Sequence, residues 1–213
     1  FQSGDTPYNK DGLFVIDENG VPVKQRDEVA AIGFAIPKTL MPADGYPLAV
    51  VIHGTTGFSN SFVAPGGGQA WGNGIVIPFA KVGIASAGSA MPINDERVPS
   101  GPDTQYANLN NLPVARFNLT QGILETRMFV RALGELRIPV SALDGCVPAE
   151  LLGDLTEIKF DAGKLMLTGQ SMGGMYASMV AATEPLIKAV VPTGAGGYFS
   201  WQFLINSVTG DPK

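Results

Sequence analysis

The sequence predicts an α/β fold with a mostly parallel central sheet, flanking helices and antiparallel strands at its N-terminal end. Three observations carry this. Short apolar runs at 47–52, 82–87, 164–168 and 188–193 alternate with helix-forming stretches, the order that builds parallel sheets through crossover connections. The run Pro47-Leu48-Ala49-Val50-Val51-Ile52 is continuously apolar, as suits a strand covered on both faces. Finally, Gly169-Gln170-Ser171-Met172-Gly173 joins the run 164–168 to the helix-forming run 175–182, which reads as strand, sharp turn and helix.

Taken in order, residues 13–16 and 29–36 read as strands joined through Asp17-Glu18-Asn19-Gly20, whose Asn-Gly pair favours a tight turn. After the strand at 47–52 comes the turn His53-Gly54-Thr55-Thr56-Gly57, then a glycine-rich loop at 64–68. Residues 69–81 follow as a helix that Asn73-Gly74 and Pro78 weaken, and 82–87 as a strand. Residues 91–113 form a polar, Pro- and Asn-rich excursion; a segment contacting substrate and a solvated insertion are both compatible with it. In the next helix Leu119, Ile123, Val130 and Leu133 share a face, while Glu125 and Glu135 point elsewhere. Asn118 with Gln121 reads as a capping box at its start. Asn118-Leu119-Thr120 is also a glycosylation sequon, for which capping is the better reading.

Gly194-Ala195-Gly196-Gly197 ends the strand at 188–193, and 198–205 is the densest aromatic cluster of the chain. That cluster fits an apolar lid lining an acyl pocket, or a core helix covering the sheet. Residues 1–213 are expected to form a single domain, with 194–213 as the start of a cap in the first case.

A hydrophobic fraction of 45% with 15% charged residues belongs to a globular chain with buried strands. The net charge of −5 and the lack of a basic stripe make nucleic acid an unsuitable partner. No stretch reaches the roughly 18 consecutive apolar residues of a membrane span. The opening Phe1-Gln2-Ser3-Gly4 shows neither an initiator methionine nor a signal peptide. A soluble protein is expected, secreted or periplasmic rather than otherwise. Cys146 is the sole cysteine, so any disulfide would need a partner outside this chain.

Ser171 is the candidate nucleophile, because a serine on so sharp a strand-to-helix turn has an exposed hydroxyl close to a helix N-terminus. Flanking glycines, Gly169 and Gly173, leave room for the bend. The plainer alternative is a serine that only caps the helix. A phosphate-binding turn fits less well still, because no Gly-Lys-Ser/Thr follows and no acidic residue sits where a ribose would need it. Together, the His-Gly turn and the serine turn resemble the α/β-hydrolase superfamily of serine esterases and lipases, over most of the chain from about Pro47 onward. The resemblance implies an oxyanion hole made by the backbone amides of Met172 and of the 54–56 turn, with Thr55 as its donor. It also gives His53 a supporting role in orienting the loop, next to Gly54, with catalysis by His53 as the lesser alternative.

In that superfamily the triad runs serine, acid, histidine. No histidine follows Ser171, and the acids that follow it are Glu184 and Asp211. An incomplete domain is therefore expected, with the catalytic acid and histidine on a C-terminal segment or a second chain. The implied activity is hydrolysis of a small-molecule or lipid-like carboxylic ester through an acyl-enzyme on Ser171. A non-catalytic scaffold of the same fold, or a thioesterase, peptidase or polyester depolymerase, would share the same motifs. No metal or organic cofactor is implied, since one histidine and one cysteine cannot make a zinc site of usual spacing.

Overall fold

In the computed structural model, the residues described are 2–3, 10–64, 74–92, 94–97, 111–143, 145–146 and 148–196. The apolar run after Gly45 forms β4 (Tyr46–Ile52) at the centre of the sheet. It lies parallel to β5 (Ala85–Ser89) on one side and to β7 (Glu157–Gln170) on the other. Beyond β5, β3 (Ile32–Ala35) closes that edge in antiparallel register; beyond β7, β8 (Ile187–Thr193) runs parallel. β6 (Arg137–Pro139) pairs antiparallel with the first residues of β7. The sheet is thus mixed and mostly parallel, with helices α1 (Val76–Lys81), α2 (Leu112–Glu135), α3 (Ala149–Leu152) and α4 (Met172–Ala181) connecting its strands. A separate two-stranded pair joins β1 (Gln2–Ser3) to β2 (Lys10–Asp11).

β7 is long because its first residues pair with β6 while its last lie between β4 and β8. Residues 157–159 pair with β6, and 165–169 pair with β4. Between them the register jumps, Tyr46 facing Phe160 but Leu48 facing Leu165. Asp161 holds this bulge, accepting the Gly163 amide at 2.8 Å and pairing with Lys164 at 3.0 Å.

One sheet face carries the main core. Tyr46, Leu48, Val50 and Ile52 of β4 alternate inward with Leu165 and Leu167 of β7, against Val130 and Leu133 of α2 and Tyr176 and Val180 of α4. The predicted stripe of α2 packs here, with Leu119 and Ile123 at its margin. Where α2 meets α4, Gly122 lies under the Tyr176 ring; a Cβ there would sit 2.4 Å from Tyr176 Cε1. The Tyr176 hydroxyl donates to the Asn118 carbonyl at 3.4 Å. A second tie follows α4, where the buried Glu184 carboxylate accepts from Arg131 Nε at 2.8 Å, Arg127 Nε at 3.3 Å and the Leu186 amide at 3.3 Å. Burial pushes the Glu184 carboxyl up, but these donors outweigh it and hold its pKa below the ordinary range.

Four local expectations are corrected. The helix expected to begin at Asn118 begins at Leu112, with Asn111 at its N-cap position and Pro113 inside its first turn, where proline is tolerated. Asn118 is then buried in the helix interior, so it neither starts the helix nor exposes its sequon. The strand expected at 82–87 is shifted to 85–89, because the Val82 and Gly83 amides still close α1 onto the Phe79 and Ala80 carbonyls, with Gly83 at φ 77°. The Asp17–Gly20 turn forms, its Asp17 carboxylate accepting the Asn19 and Val21 amides at 2.9 Å. It connects residues 15–17 to 21–23, however, since Val29 is exposed and the following strand is confined to β3. The strand read at 164–168 is the second half of β7, whose earlier residues β6 recruits. The loop at 64–68 beyond Ala64, the first part of the helix read at 69–81, most of the 91–113 excursion and the cluster at 198–205 lie outside the described residues.

Two stability predictions follow from these contacts. Gly122→Ala, a change that favours an exposed helix by about 1 kcal/mol, should here destabilise by about 1–3 kcal/mol because the methyl overlaps Tyr176. Thermal unfolding checks the sign. Glu184→Gln should cost about 2 kcal/mol at pH 7, since two partly exposed arginines lose a buried partner. A depressed folded pKa stabilises above the ordinary carboxylate range and the benefit is lost as pH falls through the folded value. The gap between Glu184→Gln and the parent should therefore close below about pH 4, as read by urea midpoints across pH.

Candidate active site

The chain leaves β4 toward β5 on one side and later returns to β7 on the other, so the strand order reverses between β4 and β7. In open α/β sheets such a switch point leaves a crevice at the carboxyl ends of the two strands. The turn 53–57 follows β4 and Ser171 follows β7, which places both at this crevice.

Ser171 occupies the N-cap position of α4 with φ 57° and ψ −122°. That conformation is strained for a residue with a side chain and costs on the order of 1–3 kcal/mol. Its backbone is pinned on both sides. The amide donates to the Thr193 carbonyl of β8 at 2.8 Å, and the carbonyl accepts from Gly174 at 3.0 Å and Met175 at 3.2 Å. Its hydroxyl makes no capping bond to the helix. The plainer reading of Ser171, as a serine that only caps, therefore lacks the bond that defines it.

The two glycines of the turn are demanded by backbone contact. A Cβ on Gly169 would lie 2.3 Å from the Gly173 carbonyl oxygen, and one on Gly173 would lie 2.0 Å from the Ile52 carbonyl oxygen. The first allows the chain to double back into α4, and the second lets α4 dock on the end of β4. Met172 is the first helical residue, where the amide has no intrahelical acceptor. Thr193 Oγ1 donates to the Gly169 carbonyl and Thr168 Oγ1 to the Val191 carbonyl, both at 2.9 Å. These straps were missed from the sequence, although a threonine within or at the end of an apolar strand is the signal that points to them.

Across the crevice, Gly57 donates to the Gly54 carbonyl at 3.1 Å, closing a β-turn with Thr56 at φ 62°. Gly54 touches the serine turn: a Cβ on it would lie 2.9 Å from the Gln170 carbonyl and 3.5 Å from Ser171 Cβ. Gly54 and Ser171 are thus brought together, and Thr55 follows Gly54 in the turn. Among the described residues, three non-glycine positions have positive φ, and Thr56 and Ser171 are two of them. Strain gathers where the two turns meet.

His53 is buried, and both ring nitrogens are engaged. The Met91 amide donates to Nε2 at 3.1 Å, so the proton sits on Nδ1, which lies 2.8 Å from the Gly54 carbonyl. Burial lowers its pKa; the Gly54 carbonyl and the charge of Glu96 oppose this without reversing it. The ring is a neutral strut between the turn and the segment after β5, with no lone pair directed at Ser171. Glu184 is no candidate acid, because α4 separates it from Ser171 by about 15 Å and two arginines hold it. Asp211 and the start of the cap read at 194–213, beyond residue 196, lie outside the described residues. Cys146 is exposed and free.

A cavity of about 480 Å³ opens beside the two turns, with Val51, Phe58, Phe62 and Ile75 as its apolar wall and Gln170 and Thr193 at the side nearest Ser171. Among the described residues no group of three His, Cys, Asp or Glu side chains is placed to hold a metal. No described helix is long and apolar enough to cross a membrane.

No protein-family model and no curated protein matches the sequence. Several solved structures are similar in shape. An acetyl xylan esterase from Paenibacillus sp. R4 is 17% identical over 82% of this chain and 45% of that chain, with a TM-score of 0.46. Est1E from Butyrivibrio proteoclasticus, solved with ferulic acid bound, is 19% identical over 84% and 52%, with a TM-score of 0.42. Acetyl xylan esterase 1 from Thermoanaerobacterium sp. JW/SL YS485 is 14% identical over 76% and 42%, with a TM-score of 0.43. The chain spans about half the length of these structures. Its α/β fold is shown by its own strand order and by the strand, turn and helix around Ser171.

Proposed function

We propose that the protein is a serine hydrolase of carboxylic esters, with Ser171 as nucleophile. The observation that carries this reading is the conformation of Ser171: a strained N-cap serine whose hydroxyl does not cap. A structural cap has no need of such strain, whereas a nucleophile must be held clear of its own helix. The Ser171 oxygen attacks the ester carbonyl carbon, and the amides of Met172 and Thr55 hold the developing oxyanion. Collapse expels the alcohol and leaves an acyl-enzyme, which water hydrolyses.

The hydroxyl needs a base and the base an orienting carboxylate. His53 is committed to the Met91 amide and the Gly54 carbonyl, which supports its role as a strut. In this proposal the acid and histidine lie on a continuation of the polypeptide or a second chain, closing over the crevice. The cavity wall of Phe58, Phe62 and Ile75 suits the apolar part of a small ester. The commitment of His53 is also what a non-catalytic scaffold would show, and labelling separates the two.

In the protein with its natural continuation, an organophosphonate probe should label Ser171, and Ser171→Ala should abolish labelling while thermal unfolding changes little. Labelling that survives the substitution removes Ser171 from the mechanism; no labelling of the parent favours the scaffold. Thr55→Pro deletes a backbone donor and should lower kcat about 100-fold, or about 3 kcal/mol, while Thr55→Ala keeps the N–H and should be mild. Equal losses would assign the turn's effect to the side chain. Residues 1–213 alone should hydrolyse a short-chain ester at background rate, against clear turnover by the longer protein. Full activity of the shorter chain would return attention to His53.

A further inference from the structure

The segment after β5 makes four hydrogen bonds to the turn after β4 and the residues just beyond it. Met91 donates its amide to His53 Nε2 at 3.1 Å, and Asn94 Nδ2 donates to the Gly57 carbonyl at 2.8 Å. Glu96 accepts from the Ser59 amide at 2.6 Å and from the Ser59 hydroxyl at 2.9 Å. Residues 94–97 are tied to one another, the Glu96 amide donating to Asn94 Oδ1 at 3.0 Å and the Arg97 amide to the Asn94 carbonyl at 2.8 Å. It is also anchored outward. The Arg97 guanidinium, 7% exposed, pairs with Glu125 of α2 and with Glu28, each at 2.5 Å.

These bonds bracket Thr55. His53 fixes the residue where the turn begins, Asn94 the one where it closes, and Glu96 the first residues beyond it. The turn needs such support, because Thr56 sits at φ 62°, which a β-branched residue adopts only under constraint from its surroundings. Burial of Ser59 makes its bidentate carboxylate partner harder for water to replace.

We propose that Glu96 and Asn94 are positioning residues of the active site: through Ser59 and Gly57 they set the direction of the Thr55 amide, and so the strength of the oxyanion hole, without touching substrate. This rests on the proposed function. A hydrogen-bond donor displaced by about 1 Å loses on the order of 100-fold in rate, so disorder in this turn is read in kcat rather than in KM.

The test uses the protein with its natural continuation, with active sites counted by phosphonate labelling and turnover measured on a short-chain ester. Glu96→Ala and Asn94→Ala should each lower kcat per labelled site about 10- to 100-fold with KM within about threefold. Glu96→Gln, which still accepts from Ser59, should recover most of the rate. A merely structural role predicts fewer labelled sites and a lower melting temperature at unchanged kcat per site, and that result overturns the proposal. Should Glu96→Ala fail to fold, Asn94→Ala, which removes the bonds to the Gly57 carbonyl and from the Glu96 amide, and Ser59→Ala, which removes only the hydroxyl bond to Glu96, decide alone. A parent protein that labels normally while both variants keep its kcat refutes the positioning role and leaves the nucleophile standing; a parent that does not label refutes both.

Discussion

Backbone meeting backbone at the end of two strands is the constraint on which the rest depends. α4 can start directly after β7 only if Gly169 lies against the Gly173 carbonyl, and α4 can seat on β4 only if Gly173 lies against the Ile52 carbonyl. Neither approach admits a side chain. With both satisfied, Ser171 has no freedom left: its amide is tied to β8 and its carbonyl to the first turn of α4. The strain at φ 57° is maintained by the sheet and helix on either side, much as strained residues elsewhere persist where surrounding structure over-determines them.

The sheet supplies this rigidity unevenly. β4 is central and buried, so the turn after it begins from a fixed point, yet Thr56 still requires a positive φ. A loop held at one end would relax. The segment after β5 holds it at the other end, through His53, Gly57 and Ser59. His53 joins these two systems. As a buried neutral imidazole it accepts one backbone hydrogen bond and donates another, which one tautomer alone can satisfy. The residue that looks most catalytic in composition terms is thereby used up in structure.

How much of this was legible in the sequence depended on whether the signal was local. The strand at 47–52 was visible because six apolar residues in a row can only be buried on both faces. The serine turn was visible because Gly-x-Ser-x-Gly between an apolar run and a helix former has few other uses. The start of α2 was misread, because Asn118 and Gln121 imitate a cap while the true first turn begins at Leu112 in a stretch of weak periodicity. The double pairing of β7 was hidden, since β6 is three residues long and carries a proline. Gly122, Thr193, Asn94 and Glu96 were passed over for one reason: their roles exist only across long separations in sequence, where no spacing rule reaches them.

In the proposed reaction Ser171 carries the acyl group during turnover. The direct measurement is rapid quenching of the full-length protein during turnover of a slowly deacylating ester, followed by tryptic digestion and mass spectrometry. Cleavage after Lys164 and Lys188 releases residues 165–188, with Ser171 inside. With Ser171 as nucleophile, this peptide should gain the mass of the acyl group, fragmentation should place it on Ser171, and it should disappear as turnover ends. Ester turnover with peptide 165–188 unmodified at every quench time would contradict that role.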